Sequence, residues 1–397
     1  MLSNPNPPPP SGQIGAFSAP PGFTFSALED LLTQANAQPT IVLNLLTGDM
    51  QSQIADLQNA ASTVMIGKIE LGNEFYLNGV RGDQYVQVFP TVQDYAQTAN
   101  AWAAAIRAAL PSVELGVPVV ANDSGTTRES TWNQTLIPLL SSDIEALIPH
   151  NYQNLPNPPF TGASVAADAE ALAAPGGVAA VFSLVRVGTD RIKQIAQDWS
   201  AYKIWNTETN LRDSVGAVAG TWTHGLYVAY QLLALLETPN IAQALVHAVT
   251  DGVEYSAIWS NSGNFPDSST QYAQGTFSAS GMSMQMVFRA ARGQTGAQPI
   301  AFSANPSQTG ANGGTAPSLY GWSFGSDAAG VVLNLSSTEY ALAFSDQSAF
   351  AGAAYMQLAG DPTAYVGTPS GLSQAQGRFD VTKGLSLPAY SITLLGG

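Results

Sequence analysis

Up to about residue 293, short apolar runs alternate with segments of helical period, and this alternation restricts the fold more than any other feature. Ser26–Ala27–Leu28–Glu29 forms a capping box and opens a short helix through about Asn36. Thr40–Leu46 (TIVLNLL) is a continuous apolar run, expected as a strand buried on both faces. Asp49 caps a helix over Met50–Ala61, and Lys68–Glu74 (KIELGNE) is the next strand. Thr91 and Asp94 start an amphipathic helix over Val92–Leu110, which Pro111 ends. Strands are then expected at Glu114–Ala121, Ile144–Tyr152, Tyr202–Glu208 and Glu254–Ser260. Helices are expected at Trp132–Leu140, Ser164–Leu172, Val178–Trp199, Val215–Leu236, Pro239–Val249 and Gln271–Arg292. Such alternation predicts βαβ units around a parallel sheet.

Beyond Gly293 the texture changes. Glycine-rich turns separate LYGWSF, GVVLNLS, EYALAF, AAYMQLA, GRFDV and AYSITLL, with no helical stretch between them. This predicts an antiparallel β-sandwich. The expected organisation is a Pro-rich loop over 1–22, a (β/α) barrel domain over 23–293 and a C-terminal β-sandwich domain over 294–397.

Composition removes whole classes of chemistry. The chain has no cysteine, which excludes disulfides, thiol catalysis, Cys-ligated zinc and iron–sulfur clusters. Its three histidines, His150, His224 and His247, are too scattered for a His-rich metal site. With 28 Asp and Glu against 13 Lys and Arg, the net charge of −15 argues against nucleic acid or anionic lipid as partner. No apolar run reaches the ~18–20 residues of a membrane span. Charged residues make up only 10% of the chain, so carboxylates at strand ends stand out.

In a parallel barrel the chemistry lies at the C-terminal ends of the strands. The residues there are Asn44, Asn73 and Glu74, Asn122 and Asp123, His150 and Tyr152, Asn206 and Glu208, and Trp259. Two carboxylates on different strands are what retaining glycoside hydrolysis needs, one as acid and one as nucleophile, ~5–5.5 Å apart. A single strand-end glutamate is ordinarily a solvated loop residue, so it is the pair, Glu74 with Glu208, that carries the reading. Asn73 and Asn206 can bond ring hydroxyls or orient the glutamates, and Tyr152 can donate to a nucleophile carboxylate. Asn73 and Glu74 can both reach one site only if the strand bends or bulges at its end. Trp259 is either a flat floor for a sugar ring or plain core, and Asp123 either a loop cap or a substrate contact. Glu70 is expected to make a buried structural hydrogen bond; His224 and His247 are expected on helices, in structural roles.

At these residues the chain resembles clan A of the glycoside hydrolases. ELGNE (Glu70–Glu74) looks like that clan's Asn-Glu acid/base motif, and IWNTETN (Ile204–Asn210) like its nucleophile strand. IPHNY (Ile148–Tyr152) is similar to the strand whose His and Tyr line the site. LPAYSITLL (Leu387–Leu395) resembles the closing sandwich strand of the arabinofuranosidase, xylosidase and heparanase-like members. The resemblance implies a (β/α)8 TIM-type barrel followed by a β-sandwich. It implies Glu74 as acid/base, Glu208 as nucleophile and Asn73 as a contact to the 2-hydroxyl, with Asn44, His150, Tyr152 and Trp259 binding substrate. It implies no metal and no other cofactor.

If Lys68–Glu74 is the fourth barrel strand, the first two strands and the arginine that usually ends the second have no counterpart. The barrel is therefore expected to be N-terminally incomplete, the chain being the C-terminal part of a longer enzyme. The expected function is a retaining O-glycoside hydrolase on an oligosaccharide or polysaccharide. The alternative is a non-catalytic carbohydrate-binding protein derived from such an enzyme. Absence of cysteine and an Asn/Gln/Ser/Thr-rich composition are compatible with secretion.

Overall fold

The computed structural model describes residues 25–397 apart from 36, 78–83, 123–124, 239, 251–254, 268, 295, 304, 310–314, 326–328, 343–349 and 397. The Pro-rich start and Asp123 lie outside the described residues. The chain divides into two compact units, Met1–His150 with Trp199–Trp205, and Asn151–Asp198 with Asn206–Gly397. No single helix among the described residues is long and apolar enough to cross a membrane.

In chain order the elements begin with α1 (Phe25–Ala35), β1 (Thr40–Val42), α2 (Met50–Ala61), β2 (Lys68–Glu70), α3 (Gln84–Val88), α4 (Val92–Ala109), β3 (Glu114–Val119), α5 (Thr127–Leu136) and β4 (Ala146–Pro149). They continue with β5 (Asn151–Asn154), α6 (Val165–Ala173), α7 (Gly177–Asp198), β6 (Lys203–Asn206), β7 (Thr209–Arg212), α8 (Trp222–Leu236) and β8 (Ile241–Ala244).

The first unit is built on parallel strands in the order β1-β2-β3-β4-β6. Parallel strands need helices on their faces, and α4 supplies one, burying Tyr95, Ala96, Ala99, Trp102, Ala103 and Ile106. Its start is fixed by Thr91 and Asp94, which complete the expected capping box. Trp205 of β6 is fully buried with Ala146 and Ile148 of β4. A Cβ on Gly116 of β3 would come within 2.9 Å of the Trp205 ring, so glycine there makes room for the indole. β1 departs from expectation: it is three residues long, its Val42 is exposed, and among the described residues it pairs only with β2. The apolar run continues past it into a turn rather than a doubly buried strand.

In the second unit, β5 and β7 form a short parallel pair with Tyr152 opposite Asn210 and Asn154 opposite Arg212. The expected strand Ile144–Tyr152 is thus divided between β4 and β5 at His150, while Tyr202–Glu208 contains β6 alone and leaves the strand at Thr207–Glu208, before β7. The expected helix Val215–Leu236 starts only at Trp222, capped by Thr221. The intervening loop is held by Asp213, whose buried carboxylate accepts the N–H groups of Gly216, Val218 and Ala219 at 3.0, 2.6 and 2.9 Å. Residues expected as the helix Pro239–Val249 instead include β8, and Leu245 beyond it donates to the Asn206 carbonyl. In the expected strand Glu254–Ser260, Glu254 lies outside the described residues and only an isolated bridge, Ile258 to Phe277, remains. A short hairpin, β9 (Gly263–Asn264) with β10 (Gln271–Tyr272), precedes α9 (Ala279–Ala291), which Ser278 caps.

The C-terminal segment is antiparallel, as expected. It comprises β11 (Gln298–Pro299), β12 (Ser307–Thr309), β13 (Thr315–Pro317), β14 (Leu319–Phe324), β15 (Ala329–Asn334), β16 (Tyr340–Leu342), β17 (Ala354–Ala359), β18 (Ser373–Arg378), β19 (Leu385–Leu387) and β20 (Ser391–Leu395). Six of these form a sheet in the order β11-β14-β15-β20-β17-β18. One face packs Trp322, Phe324, Val331, Leu333, Ile392 and Leu394 into the core shared with α8 and α9. The other packs Leu319, Val332 and Leu395 against Leu342, Leu385 and Leu387 of the β16–β19 pair. β15 and β20 are consequently buried along their whole length. Glu237 ties three elements together, accepting from Lys193 of α7 at 2.7 Å and from the Trp322 indole at 2.9 Å while ending α8.

A buried network links α8 to β7. His224 Nε2 donates to Asn210 Oδ1 over 2.8 Å, leaving Nδ1 to accept from Gly220 N at 3.3 Å and to face Ser280 Oγ at 3.4 Å. Burial lowers the His224 pKa to about 4, with the nearby Asp213 pulling it the other way.

Two expectations follow. His224 has a folded pKa near 4, below the ordinary ~6.5, so as pH falls the unfolded chain takes up the proton first. Stability of the second unit is full above ~6.5 and lost as pH falls towards about 4, by up to about 3 kcal/mol. Urea unfolding at pH 7 and pH 4.5 should show a smaller pH-dependent loss for His224→Asn than for the native chain. Asp213→Asn puts an amide among backbone donors and should cost about 3 kcal/mol, read as a lower urea midpoint at unchanged slope.

Candidate active site

Glu74 sits in a sharp turn beyond β2, where Gly72 has φ +93° and Glu74 itself φ +50°. This is the bend that Asn73 and Glu74 require in order to present both side chains beyond one strand end. A non-glycine residue in the left-handed region costs about 1–3 kcal/mol, so the surroundings must impose it. They do so through Phe75, packed against Tyr85, Phe89 and Tyr95 with centroids 5.2, 4.9 and 5.4 Å away. Arg128 also clamps the Phe75 carbonyl, donating from Nε at 3.0 Å and Nη2 at 2.8 Å. A Cβ on Gly72 would strike the Phe75 ring at 2.0 Å, which fixes glycine at that position.

The half-buried Glu74 carboxylate faces His150 Nδ1 at 3.0 Å, with the Tyr76 hydroxyl farther off at 3.4 Å. His150 is buried, so its ring is held in place against the Glu74 carboxylate. Asn73 is half-buried, and its amide makes no hydrogen bond among the described residues. Glu70 is buried below the turn, as expected of a structural residue.

Asn44 is placed differently from expectation. Its Oδ1 accepts the N–H groups of Leu46 and Thr47, and its Nδ2 donates to Thr47 Oγ1. An asparagine with its polar atoms engaged in its own turn is a turn residue rather than a free substrate contact.

In the second unit, Glu208 is half-buried just before β7 and accepts from the Tyr152 hydroxyl at 2.7 Å. Its backbone is fixed twice: its carbonyl accepts from Asn151 N at 2.9 Å and from Asn206 Nδ2 at 3.2 Å. Asn206 thus positions the backbone of Glu208 and is itself fully buried. Tyr152 stands in an aromatic group with His247 and Tyr255, its centroid 6.1 and 5.9 Å from theirs, and the Arg212 guanidinium lies 4.6 Å from its ring centre.

Trp259 is not in this group. It is buried and packs against Phe265 and Tyr272, at 5.5 and 4.6 Å. A side chain enclosed by its own core offers no face to a sugar, so the core reading of Trp259 holds.

Sequence reasoning missed His247, Tyr255 and Arg212. His247 follows β8, with its backbone N–H donating to Thr209 O and its carbonyl accepting from Asn210 Nδ2 at 2.6 Å. Reading Pro239–Val249 as a helix hid it. Arg212 lay four residues beyond Glu208 in a segment expected to be loop, with no motif to mark it.

No protein-family model matches the chain, and no curated protein matches it. Solved structures do. A family 51 α-L-arabinofuranosidase, AbfB, from Bifidobacterium longum is 13% identical, with 94% of this chain and 79% of that chain covered at a TM-score of 0.64. A GH51 arabinofuranosidase from Xanthomonas axonopodis pv. citri is likewise 13% identical, with 94% and 78% covered at a TM-score of 0.65. A family 44 endoglucanase from Clostridium acetobutylium is 11% identical, with 94% and 83% covered at a TM-score of 0.55. At such identities the likeness is one of fold. The chain has the fold of clan A glycoside hydrolases, with a parallel sheet of six strands that makes half of a (β/α) barrel and an appended antiparallel β-domain.

Proposed function

We propose that the chain is a retaining O-glycoside hydrolase with Glu74 as acid/base and Glu208 as nucleophile. The observation that carries this reading is the matched treatment of the two glutamates. Each follows a strand, each is half-buried, and each meets a polar ring within 3.0 Å, His150 for Glu74 and Tyr152 for Glu208. Those two partners are two residues apart in the sequence. The glycosidase fold supports the reading. In this assignment residues 23–293 carry the chemistry and 294–397 the appended β-domain.

The steps follow from the groups present. Glu74 in its acid form gives its proton to the glycosidic oxygen as that bond breaks, and a Glu208 oxygen bonds to the anomeric carbon. Water then attacks the glycosyl ester, Glu74 takes its proton, and Glu208 leaves as carboxylate. The Tyr152 hydroxyl orients Glu208 and steadies its charge before attack and after release. The free amide of Asn73 is available for the 2-hydroxyl. No step requires a metal or an organic cofactor.

Arabinofuranosides are the first substrates to test, since several of the similar structures are named for that activity. The native chain should release nitrophenol from a nitrophenyl glycoside panel led by the α-L-arabinofuranoside. Glu208→Ala should lower kcat by at least ~10⁴-fold, and a fluoro-sugar inactivator should label Glu208 in peptide mass mapping. Label on any other residue refutes the role assignment. No turnover across the panel counts against the enzyme reading. Tyr152→Phe, which removes one donor to the carboxylate, should lower kcat about 10- to 100-fold with a smaller change in KM.

A further inference from the structure

A cavity of about 470 Å³ opens in the second unit at the C-terminal ends of β5 and β7, lined by Asn154, Asn157, Phe160, Arg212, Ser214 and Tyr255 among others. Its size falls in the range of small-molecule sites, ~300–1,000 Å³. It adjoins the Glu208 group through two shared residues. Arg212 and Tyr255 line the cavity and also pack against Tyr152, the residue that donates to Glu208.

The lining has the chemistry of a saccharide site. Tyr255 offers a ring, while the side chains of Asn154, Asn157 and Ser214 make no hydrogen bond among the described residues. The distinguishing feature is charge. The chain has 28 Asp and Glu against 13 Lys and Arg, yet Arg212 has no carboxylate partner among the described residues. Arg212 is exposed, its guanidinium lies over the Tyr152 ring, and its N–H donors make no hydrogen bond among the described residues. The carboxylate in the cavity wall, Asp168, does not fill that vacancy. It is buried and accepts from Thr161 N at 2.9 Å and Gly162 N at 3.0 Å, which fixes the 161–162 wall. A planar guanidinium with free donors matches a carboxylate in bidentate geometry.

We infer that this cavity is a subsite for a uronate, a sugar carrying a carboxylate, with Arg212 as its specificity determinant. The inference rests on the glycosidase reading for the class of ligand, a saccharide. It goes beyond that reading in assigning a charge to one sugar next to the bond being cleaved. Strong overall negative charge keeps polyanions away, so the expected ligand is a largely neutral saccharide with isolated acid groups.

The test uses matched pairs that differ only in the acid group: methyl glucuronide against methyl glucoside, and methyl galacturonide against methyl galactoside. Binding is measured by NMR titration on the Glu208→Gln chain, so that turnover plays no part. At least one uronide should bind about tenfold or more tightly than its neutral partner, and added salt should reduce that preference. Arg212→Gln should abolish the preference, and Arg212→Lys, which keeps the charge, should retain part of it. Equal binding within both pairs, no binding at all, or a preference unchanged in Arg212→Gln overturns the inference. Nitrophenyl glycoside hydrolysis by the native chain separates the two readings. Turnover without acid preference removes the subsite alone, and acid preference without turnover removes the enzyme assignment alone.

Discussion

A carboxylate drawn into a sheet's end loses water, and unless donors replace that water its burial costs several kcal/mol. Both strand-end glutamates are under this constraint, and polar rings meet them: His150 and the Tyr76 hydroxyl at Glu74, Tyr152 at Glu208. For Glu74 the donor is His150, and reaching it requires a backbone bend with φ +50° at the glutamate itself. The strain of that bend is offset locally, by Phe75 in its aromatic nest and by Arg128 on the Phe75 carbonyl. The apolar packing behind the turn therefore sets where the carboxylate points.

For Glu208 the support is polar. Asn151 and Asn206 hold its carbonyl, and Tyr152 holds its carboxylate. One residue further along β7, Thr209 O accepts from His247 N, and Asn210 reaches the His247 carbonyl on one side and His224 on the other. His224 in turn faces Ser280 of α9. A continuous set of hydrogen bonds thus runs from a helix that packs on the antiparallel sheet to the ring group around Tyr152. Because burial keeps His224 neutral at ordinary pH, its two nitrogens can divide cleanly into one donor and one acceptor. Protonating it would put two donors where Gly220 N already donates, which is why acid should loosen this part of the unit first.

The alternation of apolar runs and helical segments was enough to read the parallel sheet and the antiparallel C-terminal strands, and to place both glutamates just beyond strands. Strand ends were harder. Lys68–Glu74, Ile144–Tyr152 and Tyr202–Glu208 each read as one strand by composition, but each stops at or before its polar residues. A polar side chain that turns to meet a partner breaks the ladder, and no periodicity records that. The segment after α8 failed for a different reason. Residues 239–249 are short, apolar and begin with proline, which suits a helix start as well as an edge of strand. Within them Ile241–Ala244 is strand, and Leu245 beyond it donates to the Asn206 carbonyl, a long-range contact invisible in local sequence. Trp259 was ambiguous for want of a contact list: a tryptophan at a strand end reads alike whether its neighbours are Phe265 and Tyr272 or a ligand.

What separates a site residue from a turn residue here is whether its polar atoms are already engaged. Asn44 stands at a strand end like Asn73, but Leu46 and Thr47 engage both its Oδ1 and its Nδ2. The Asn73 amide, between Gly72 and Glu74 with their positive φ, makes no hydrogen bond among the described residues. Asn206 and Asn210 fall between: both amides are used, and each use fixes a residue that lies nearer the chemistry. The same criterion distinguishes the charges. Asp168 and Asp213 are buried anions filled by backbone N–H groups and act as loop clamps. Arg212, in a chain with twice as many acids as bases, is exposed, makes no ion pair among the described residues and lies over the ring that serves Glu208.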